Sequence, residues 1–152
     1  MAGLAGDTTR HGSFAGVLVI GKNFLDQMVC HCLDGYPLEA CGLLGGAVTE
    51  EGRAEVAAVY PTDNLAASAR IYEVDPTALL RADREAEAGG GQLIGVYHSH
   101  THTEGKPSPT DVEQAPDPGW HYVLVSLRDV HPSVRSWRIE GGKISEEPVV
   151  LQ

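Results

Sequence analysis

The sequence has few cationic residues, few aromatic residues and no long hydrophobic run. Its 152 residues include 11 Lys and Arg against 21 Asp and Glu, a net charge of −10, which repels phosphate backbones and anionic lipid surfaces. No apolar stretch approaches the ~20 residues that a membrane span needs, and the first residues lack the basic end and apolar centre of a signal peptide. The composition therefore predicts a cytoplasmic location. It predicts neither a nucleic-acid partner nor a membrane partner.

Cysteine is scarce, and its three copies lie close together in the sequence. Cys30, Cys32 and Cys41 are odd in number, which fits reduced thiols in a reducing compartment better than a disulfide framework. Cys30 and Cys32 fall on a predicted helix, where a spacing of two residues turns their side chains in different directions. We therefore expect packed free thiols, with no disulfide and no Cys-x-Cys metal site.

The chain predicts one folded domain, since 42% of its residues are hydrophobic and no compositional break divides it. We place this domain at residues 13–152, after a flexible N-terminus at 1–12. Hydrophobic periodicity predicts an α/β (α+β) fold, a mixed sheet flanked by helices in the order β-α-β-β-β-α-β-α-β-β-β. The predicted strands are 14–20, 40–46, 53–61, 70–74, 92–98, 121–127, 134–139 and 146–151, and the predicted helices are 23–33, 76–88 and a short one from 109.

A polar stretch with three histidines follows the predicted strand at 92–98. Side chains alternate between the two faces of a strand, so His98 and His100 project from one face and together can hold a metal ion. Alone, a His-x-His pair is a weak signal, because it also fits a solvated strand end. His102 would continue the alternation, but glycine and proline break the extended structure after Thr101 and leave its direction open.

The next segment, SPTDVEQA, has two interpretations. In the first, Ser108 caps a helix, Pro109 takes its first position and Asp111 completes a capping box. In the second, Asp111 faces back from the first helical turn to the two histidines as a third metal ligand. Two nitrogens and one oxygen suit Zn²⁺ and leave its fourth position for water. Spacing alone leaves both interpretations open.

The complete set of residues resembles the signature of the JAMM (MPN+) metalloproteases. That signature is an upstream glutamate followed by His-x-His, seven residues, Ser, two residues and Asp. The spacing from His98 and His100 to Ser108 and Asp111 matches it at every position. Glu39, in EACGLLGG, resembles the segment that carries the glutamate of the family. A zinc deaminase would need a Pro-Cys-x-x-Cys motif, which the sequence lacks.

Within that family the chain is most similar to the small bacterial Mec-type peptidases, through EACGLLGG, YHSHT, PSPTDVEQA, HYVLVSLRD and RSWRIEGGKISEEPV. The resemblance implies the MPN (cytidine deaminase-like) architecture and a Zn²⁺ cofactor. It also implies a partner, a ubiquitin-like sulfur carrier of the CysO or ThiS type that ends in Gly-Gly. Hydrolysis after the glycines would release cysteine or a similar small adduct, for cysteine biosynthesis or sulfur transfer.

The resemblance gives each residue of the motif a role. His98, His100 and Asp111 would bind Zn²⁺, which lowers the pKa of the water bound to it. Glu39 would accept the proton of that water and pass it to the leaving amine. Ser108 would donate a hydrogen bond to the developing oxyanion, and this role could compete or combine with helix capping.

Two residues upstream of the second helix are candidates for substrate binding. We expect the carrier tail to add beside the predicted edge strand at 70–74, with Tyr72 near the tail, although an ordinary sheet strand with a packed tyrosine fits the sequence equally well. Asn64 is expected to hold the preceding loop through backbone hydrogen bonds. The other histidines have no partner pattern and are interpreted as ordinary surface or sheet residues: His11, His31, His121 and His131.

Two other functions fit parts of this pattern. A metalloamidase for small molecules or peptides would share the metal site but would need no groove for a protein. A non-catalytic MPN scaffold, the third possibility, would typically lack some of the metal ligands, whereas this sequence retains the whole motif. We therefore rank the scaffold below both hydrolases.

Overall fold

A computed structural model describes residues 16–49 and 51–152. In these ranges the chain forms eight strands and three helices. The proposed flexible N-terminus, residues 1–12, lies outside the described residues, as does the beginning of the first predicted strand. The elements are β1 (Val17–Ile20), α1 (Lys22–Gly35), β2 (Cys41–Val48), β3 (Arg53–Thr62), α2 (Pro76–Ala88), β4 (Gln92–His100), α3 (Pro109–Glu113), β5 (His121–Ser126), β6 (Ser133–Glu140), β7 (Lys143–Glu147) and β8 (Val149–Leu151).

All eight strands belong to one mixed sheet, in the order β7-β6-β5-β4-β2-β3-β1-β8. Strand β4 lies near its centre, antiparallel to β2 and parallel to β5. Because parallel neighbours need a crossover, the chain leaves the end of β4, passes through α3 and returns to the start of β5. This crossover contains the polar stretch of the sequence, so the candidate site lies at the carboxyl end of a central strand.

The core has two layers, one on each face of the sheet. Leu44 and Tyr97 pack with Met28 of α1 on one face, whereas Leu43 and Val96 pack with α2 on the other. Adjacent residues of β2 and β4 thus serve opposite layers, which explains why these strands are continuously apolar in sequence. Burial of both faces makes β4 a firm support for the residues at its end.

The predicted α+β fold class is confirmed, and so are most of its elements. Helix α2 begins as predicted, with the Asp75 side chain accepting a hydrogen bond of 2.9 Å from Thr77 N and Pro76 in the first turn. The hairpin of β2 and β3 also forms. The three cysteines are free, and Cys32 and Cys41 are buried, but Cys30 is exposed rather than packed as expected. No helix among the described residues is long and apolar enough to cross a membrane.

The predicted strand at 70–74 is wrong. This segment is a loop. Its one β-bridge joins Val74 to Asn64 and is isolated from the strands. The Asn64 side chain donates to Ile71 O at 3.0 Å and accepts from Glu73 N at 2.9 Å. Since these bonds satisfy the backbone groups that a partner strand would have satisfied, the segment is held without joining the sheet.

The predicted strand at 146–151 is two strands rather than one. Pro148 separates β7 from β8, and proline lacks the N–H that a continuous ladder would use. Strand β7 pairs with β6, whereas β8 pairs in parallel with β1 at the opposite edge of the sheet. The last two strands therefore lie at opposite edges of the same sheet.

Candidate metal centre

The end of β4 presents two histidines on one face, as the alternation predicts. His98 and His100 are buried, with 2% and 7% of their surfaces exposed. Ser99 points to the other side, where its hydroxyl accepts a hydrogen bond of 2.9 Å from Ala40 N. Its backbone N–H donates to Ala40 O at 3.0 Å. These two bonds attach the end of β4 to the residue that follows Glu39.

Glu39 reaches the histidines through the pairing of β2 with β4. Cys41 is the register partner of His98, so a residue two positions earlier on the extended chain faces the same side. The Glu39 carboxylate is 3% exposed, and its Oε1 lies 3.8 Å from His98 Nε2. That oxygen is buried and has no hydrogen-bond partner among the described residues.

Asp111 completes the capping box and also faces the two histidines. Ser108 Oγ accepts from Asp111 N at 3.1 Å and Asp111 Oδ2 accepts from Ser108 N at 2.9 Å, which is a complete capping box. The same Oδ2 lies 3.2 Å from His98 Nε2 and 3.0 Å from His100 Nε2. The capping box therefore fixes the carboxylate in the orientation that points at the histidines.

Burial and neighbouring charge shift the acid–base properties of this group. Burial raises the pKa of Glu39 to about 7, with His100 opposing the shift and Asp111 adding to it. Burial also lowers the pKa of His98, against the opposing effect of Asp111. For Asp111, burial alone would raise the pKa, but hydrogen bonds from His100 and His98 outweigh it and hold the pKa well below its usual range.

The hydrogen bonds of His100 show that the group fits a metal ion. His100 Nδ1 lies 2.8 Å from Glu104 O, and a carbonyl can only accept, so Nδ1 carries the hydrogen. The contact of 3.0 Å between Nε2 and the Asp111 oxygen then needs a positive charge, either a second proton on the ring or a cation between the two atoms. A cation fits the arrangement, since fixing the second nitrogen on a carbonyl is typical of histidine ligands.

The distances within the group agree with this interpretation. Ligands bound to a tetrahedral metal at about 2.0–2.1 Å lie about 3.3 Å apart, close to the 3.2 and 3.0 Å between Asp111 Oδ2 and the two histidine nitrogens. Ligand atoms of Glu39, His98 and His100 all lie within 4.8 Å of one another. The buried group of two imidazoles and two carboxylates is therefore suited to a metal ion.

An open cleft of about 610 Å³ borders the group. His102 lines this cleft but turns away from Asp111, since its Nε2 lies 3.2 Å from Tyr36 Oη and its Nδ1 lies 2.8 Å from Thr101 Oγ1. The direction of His102, which the sequence left open, is therefore away from the group formed by His98, His100 and Asp111. The residues that line the cleft are Glu39, Ala69, Arg70, His100, Thr101, His102, Thr103 and Ser108.

The two candidate substrate-binding residues contact the site from the loop between β3 and α2. The ring of Tyr72 stacks on His98, with centroids 4.2 Å apart. Asn64 holds the loop as expected: besides its bonds to Ile71 and Glu73, its Nδ2 donates to Glu39 O at 3.0 Å. Sequence reasoning missed these contacts with Glu39 and His98, because no local pattern connects residues so distant in sequence.

Two of the remaining histidines have specific partners that the sequence analysis missed. His121 is buried, and its Nδ1 contacts the Glu147 carboxylate. His31 Nδ1 lies 2.7 Å from Tyr97 Oη. These partners are 26 and 66 residues away along the chain, so no spacing signal could have identified them. His131 is exposed as expected, and His11 lies outside the described residues.

Together, the mixed sheet and the buried histidine–carboxylate group define a protein of the JAB/MPN class, as the JAMM resemblance implied. The chain belongs to the family described as prokaryotic homologs of the JAB domain, whose sequence model matches residues 21–140. Both the predicted family and the predicted architecture are thereby confirmed.

Individual relatives support the assignment along most of the chain. The chain is 42% identical to the CysO-cysteine peptidase of Mycobacterium tuberculosis over 134 residues, 88% of this chain and 90% of that protein. It is 35% identical to the desampylase of Haloferax volcanii over 114 residues, 72% of this chain and 80% of that protein. A solution structure of a Desulfitobacterium hafniense protein has a TM-score of 0.82 and 33% identity, covering 89% of this chain and 92% of the other.

Proposed function

We propose that the protein is a zinc metallopeptidase that cleaves the amide bond after the C-terminal Gly-Gly of a ubiquitin-like sulfur carrier and releases cysteine or a similar small adduct. One observation carries the proposal: the Asp111 carboxylate oxygen lies 3.2 and 3.0 Å from Nε2 of the two buried histidines, while Glu39 Oε1 lies 3.8 Å from His98 Nε2. The similarity to a CysO-cysteine peptidase along 88% of the chain supports the choice of substrate.

Zinc is the metal that the donor set favours. His98 and His100 offer imidazole nitrogens and Asp111 offers a carboxylate oxygen, a combination found in catalytic zinc sites with one open position. When bound, Zn²⁺ supplies a water of lowered pKa and polarises the scissile carbonyl. His100 is held for this role by Glu104 O, and one face of His98 is covered by Tyr72.

Glu39 has the properties of a proton carrier. In the metal-free protein burial raises its pKa to about 7, and a buried carboxylate at this place can accept a proton from a water molecule and return it to the leaving amine. Its Oε1 has no hydrogen-bond partner among the described residues, so the acceptor is available to a water molecule. The backbone of Glu39 is held on both sides, by Ser68 O at 2.8 Å and by Asn64 Nδ2 at 3.0 Å.

Ser108 can combine its two expected roles. Its Oγ accepts the capping hydrogen bond from Asp111 N through a lone pair, while the hydroxyl hydrogen stays available. Because Ser108 also lines the cleft, that hydrogen can be donated to the oxygen of the substrate that becomes negative during hydrolysis. Capping fixes the position of the hydroxyl and thereby supports this second role.

The carrier tail would enter along the cleft rather than beside an edge strand. Ala69 and Arg70 belong to the loop held by Asn64, and Thr101, Thr103 and Ser108 lie in the crossover between β4 and β5. A tail of glycines has no side chains to clash with these residues and can pair with their backbones. We also propose a cytoplasmic location, which the three free thiols support.

The decisive experiment is intact-mass analysis of a candidate carrier that ends in Gly-Gly-Cys, before and after incubation with the zinc-loaded protein. We expect loss of the cysteine and recovery of the carrier that ends in Gly-Gly. Replacing the last glycine by valine should abolish cleavage, because a β-branched side chain does not fit beside the extended backbone. A carrier that stays intact at high enzyme concentration would contradict the proposal.

A short peptide with the same terminal sequence is the matched comparison substrate. We expect it to be cut far less efficiently than the folded carrier, since the body of the carrier adds contacts outside the cleft. Equal efficiency on peptide and carrier would reassign the protein as a metalloamidase for small substrates.

A further inference from the structure

The cleft beside Glu39 contains a single residue of fixed positive charge. Eight described residues line it, and Arg70 is the one Lys or Arg among them. Its side chain is exposed and, like those of Arg81, Arg84 and Arg138 outside the cleft, makes no ion pair within 4.0 Å among the described residues, whereas Arg53, Arg128 and Arg135 each pair with a carboxylate. In a protein with a net charge of −10, an arginine without a carboxylate partner is available to an anion from outside.

The backbone on both sides of Arg70 is tied to Glu39. Before it, Ser68 O accepts from Glu39 N at 2.8 Å. After it, Ile71 O accepts from the Asn64 amide at 3.0 Å, and the same amide donates to Glu39 O at 3.0 Å. The Ser68 hydroxyl also accepts from Arg70 N at 3.0 Å. The backbone that carries Arg70 is therefore held next to the proton-carrying glutamate.

The chemistry of the leaving group suggests what the anion is. When a carrier ends in one added amino acid, a free α-carboxylate lies one residue beyond the scissile amide. When a carrier is joined to a lysine of a protein, that position has no such carboxylate. This α-carboxylate is an anion that would lie in the cleft lined by Arg70. A guanidinium binds a carboxylate through two parallel hydrogen bonds.

We propose, on the basis of the proposed function, that Arg70 binds the α-carboxylate of the amino acid that is released. Arg70 thereby selects carriers that end in a single added residue over conjugates in which the carboxylate is missing. The known relatives include both a CysO-cysteine peptidase and a desampylase, so the family itself leaves this choice of substrate open. In this chain the choice is made by a residue of the loop between β3 and α2.

The test compares two forms of one carrier, ending in Gly-Gly-Cys with a free carboxylate and in Gly-Gly-Cys amide. Wild-type protein should cleave the carboxylate form with a kcat/KM about tenfold higher, the range of one charge-assisted contact. Arg70→Gln should reduce this preference to near one, chiefly by slowing the carboxylate form, and Arg70→Lys should restore part of it. Each variant is checked for its metal content and thermal midpoint, which a selective contact leaves unchanged.

Arg84→Gln is the matched control, because Arg84 is an exposed arginine of helix α2 outside the cleft. It should keep the full preference for the carboxylate form. A wild-type protein that cleaves both forms equally, or an Arg70→Gln variant that keeps the preference, would overturn the role of Arg70. Either result would leave the proposed peptidase function in place. Failure of the wild-type protein to cleave either form overturns the carrier peptidase itself, and the role of Arg70 with it.

Discussion

The ring of Tyr72 stacks on the imidazole of His98, with centroids 4.2 Å apart and an angle of 24° between the planes. Asp111 Oδ2 contacts Nε2 of the same imidazole at 3.2 Å. Tyr72 of the loop thus contacts the face of the His98 ring, and Asp111 of helix α3 contacts its edge. Burial, with a further effect of the Asp111 charge, raises the pKa of Tyr72 far above its usual range, so the stacked ring stays neutral.

The stacking predicts that Tyr72 contributes to metal affinity through its ring. Tyr72→Ala uncovers His98 and should weaken zinc binding by about tenfold, the lower end of the effect of groups that orient metal ligands. Tyr72→Phe keeps the ring and should bind zinc within about twofold of wild type on the same grounds. Competition with a chromophoric chelator measures both affinities. Equal affinity in Tyr72→Ala would show that the stacking does not orient His98.

The metal centre itself predicts one zinc per chain, because its two imidazoles and one carboxylate converge. His98→Ala, His100→Ala and Asp111→Asn should each weaken zinc binding sharply, since each removes a proposed ligand. His102→Ala is the matched control and should keep the metal, because His102 bonds to Tyr36 and Thr101 instead. Elemental analysis after zinc reconstitution and desalting gives the stoichiometry. A wild-type value near zero would argue against the site.

Glu39 is predicted to move protons without holding the metal. Glu39→Gln preserves the shape of the side chain but removes its basicity, so hydrolysis should fall by at least about 10²-fold while zinc stays bound. Glu113→Gln, the same change at an exposed acid of α3, should leave hydrolysis intact. Loss of zinc from the Glu39 variant would make this residue a ligand, and unchanged turnover would remove it from the mechanism.

The raised pKa of Glu39 predicts a pH dependence of stability in the metal-free protein. Between its ordinary pKa of 4.5 and about 7, Glu39 binds its proton more tightly in the folded state than in the unfolded state. Its contribution to the free energy of unfolding is therefore present at low pH and is lost as the pH rises through this window. The difference corresponds to about 3 kcal/mol at most.

Urea titrations between pH 4 and 8 in the presence of a chelator measure this dependence. The Glu39→Gln variant shares every other titrating group and should lose less stability than wild type as the pH rises. Parallel curves for the two proteins would show that Glu39 is not a titrating group in this window.

Asn64 is predicted to support the loop that carries Tyr72 and Arg70. Its side chain makes four hydrogen bonds to backbone groups, so Asn64→Ala should lower the free energy of unfolding by about 1–3 kcal/mol. It should also reduce hydrolysis more than zinc binding, because it releases the backbone of Glu39. Asn23→Ala, an exposed change on α1, should cost little by comparison. Unchanged stability and turnover in Asn64→Ala would contradict this role.

The sequence by itself determined the local half of the site. His98 and His100 share a face because strand side chains alternate, and Ser108 and Asp111 form a capping box because helix geometry fixes their spacing. Both rules act over a few residues, so they are visible in the order of the amino acids. The structure adds that capping and facing the histidines are compatible, which the spacing alone left open.

Only the tertiary structure decided how distant residues meet this local half, including Glu39, which the sequence identified through the family resemblance and not through a local spacing. Glu39 faces the histidines because β2 pairs with β4 in a register that sets Cys41 beside His98, and strand register depends on the packing of the whole sheet. The segment at 70–74 has the composition of a strand, yet hydrogen bonds from the Asn64 side chain keep it in a loop. Contacts between residues far apart in sequence carry no periodic signal, because they depend on how the complete chain packs.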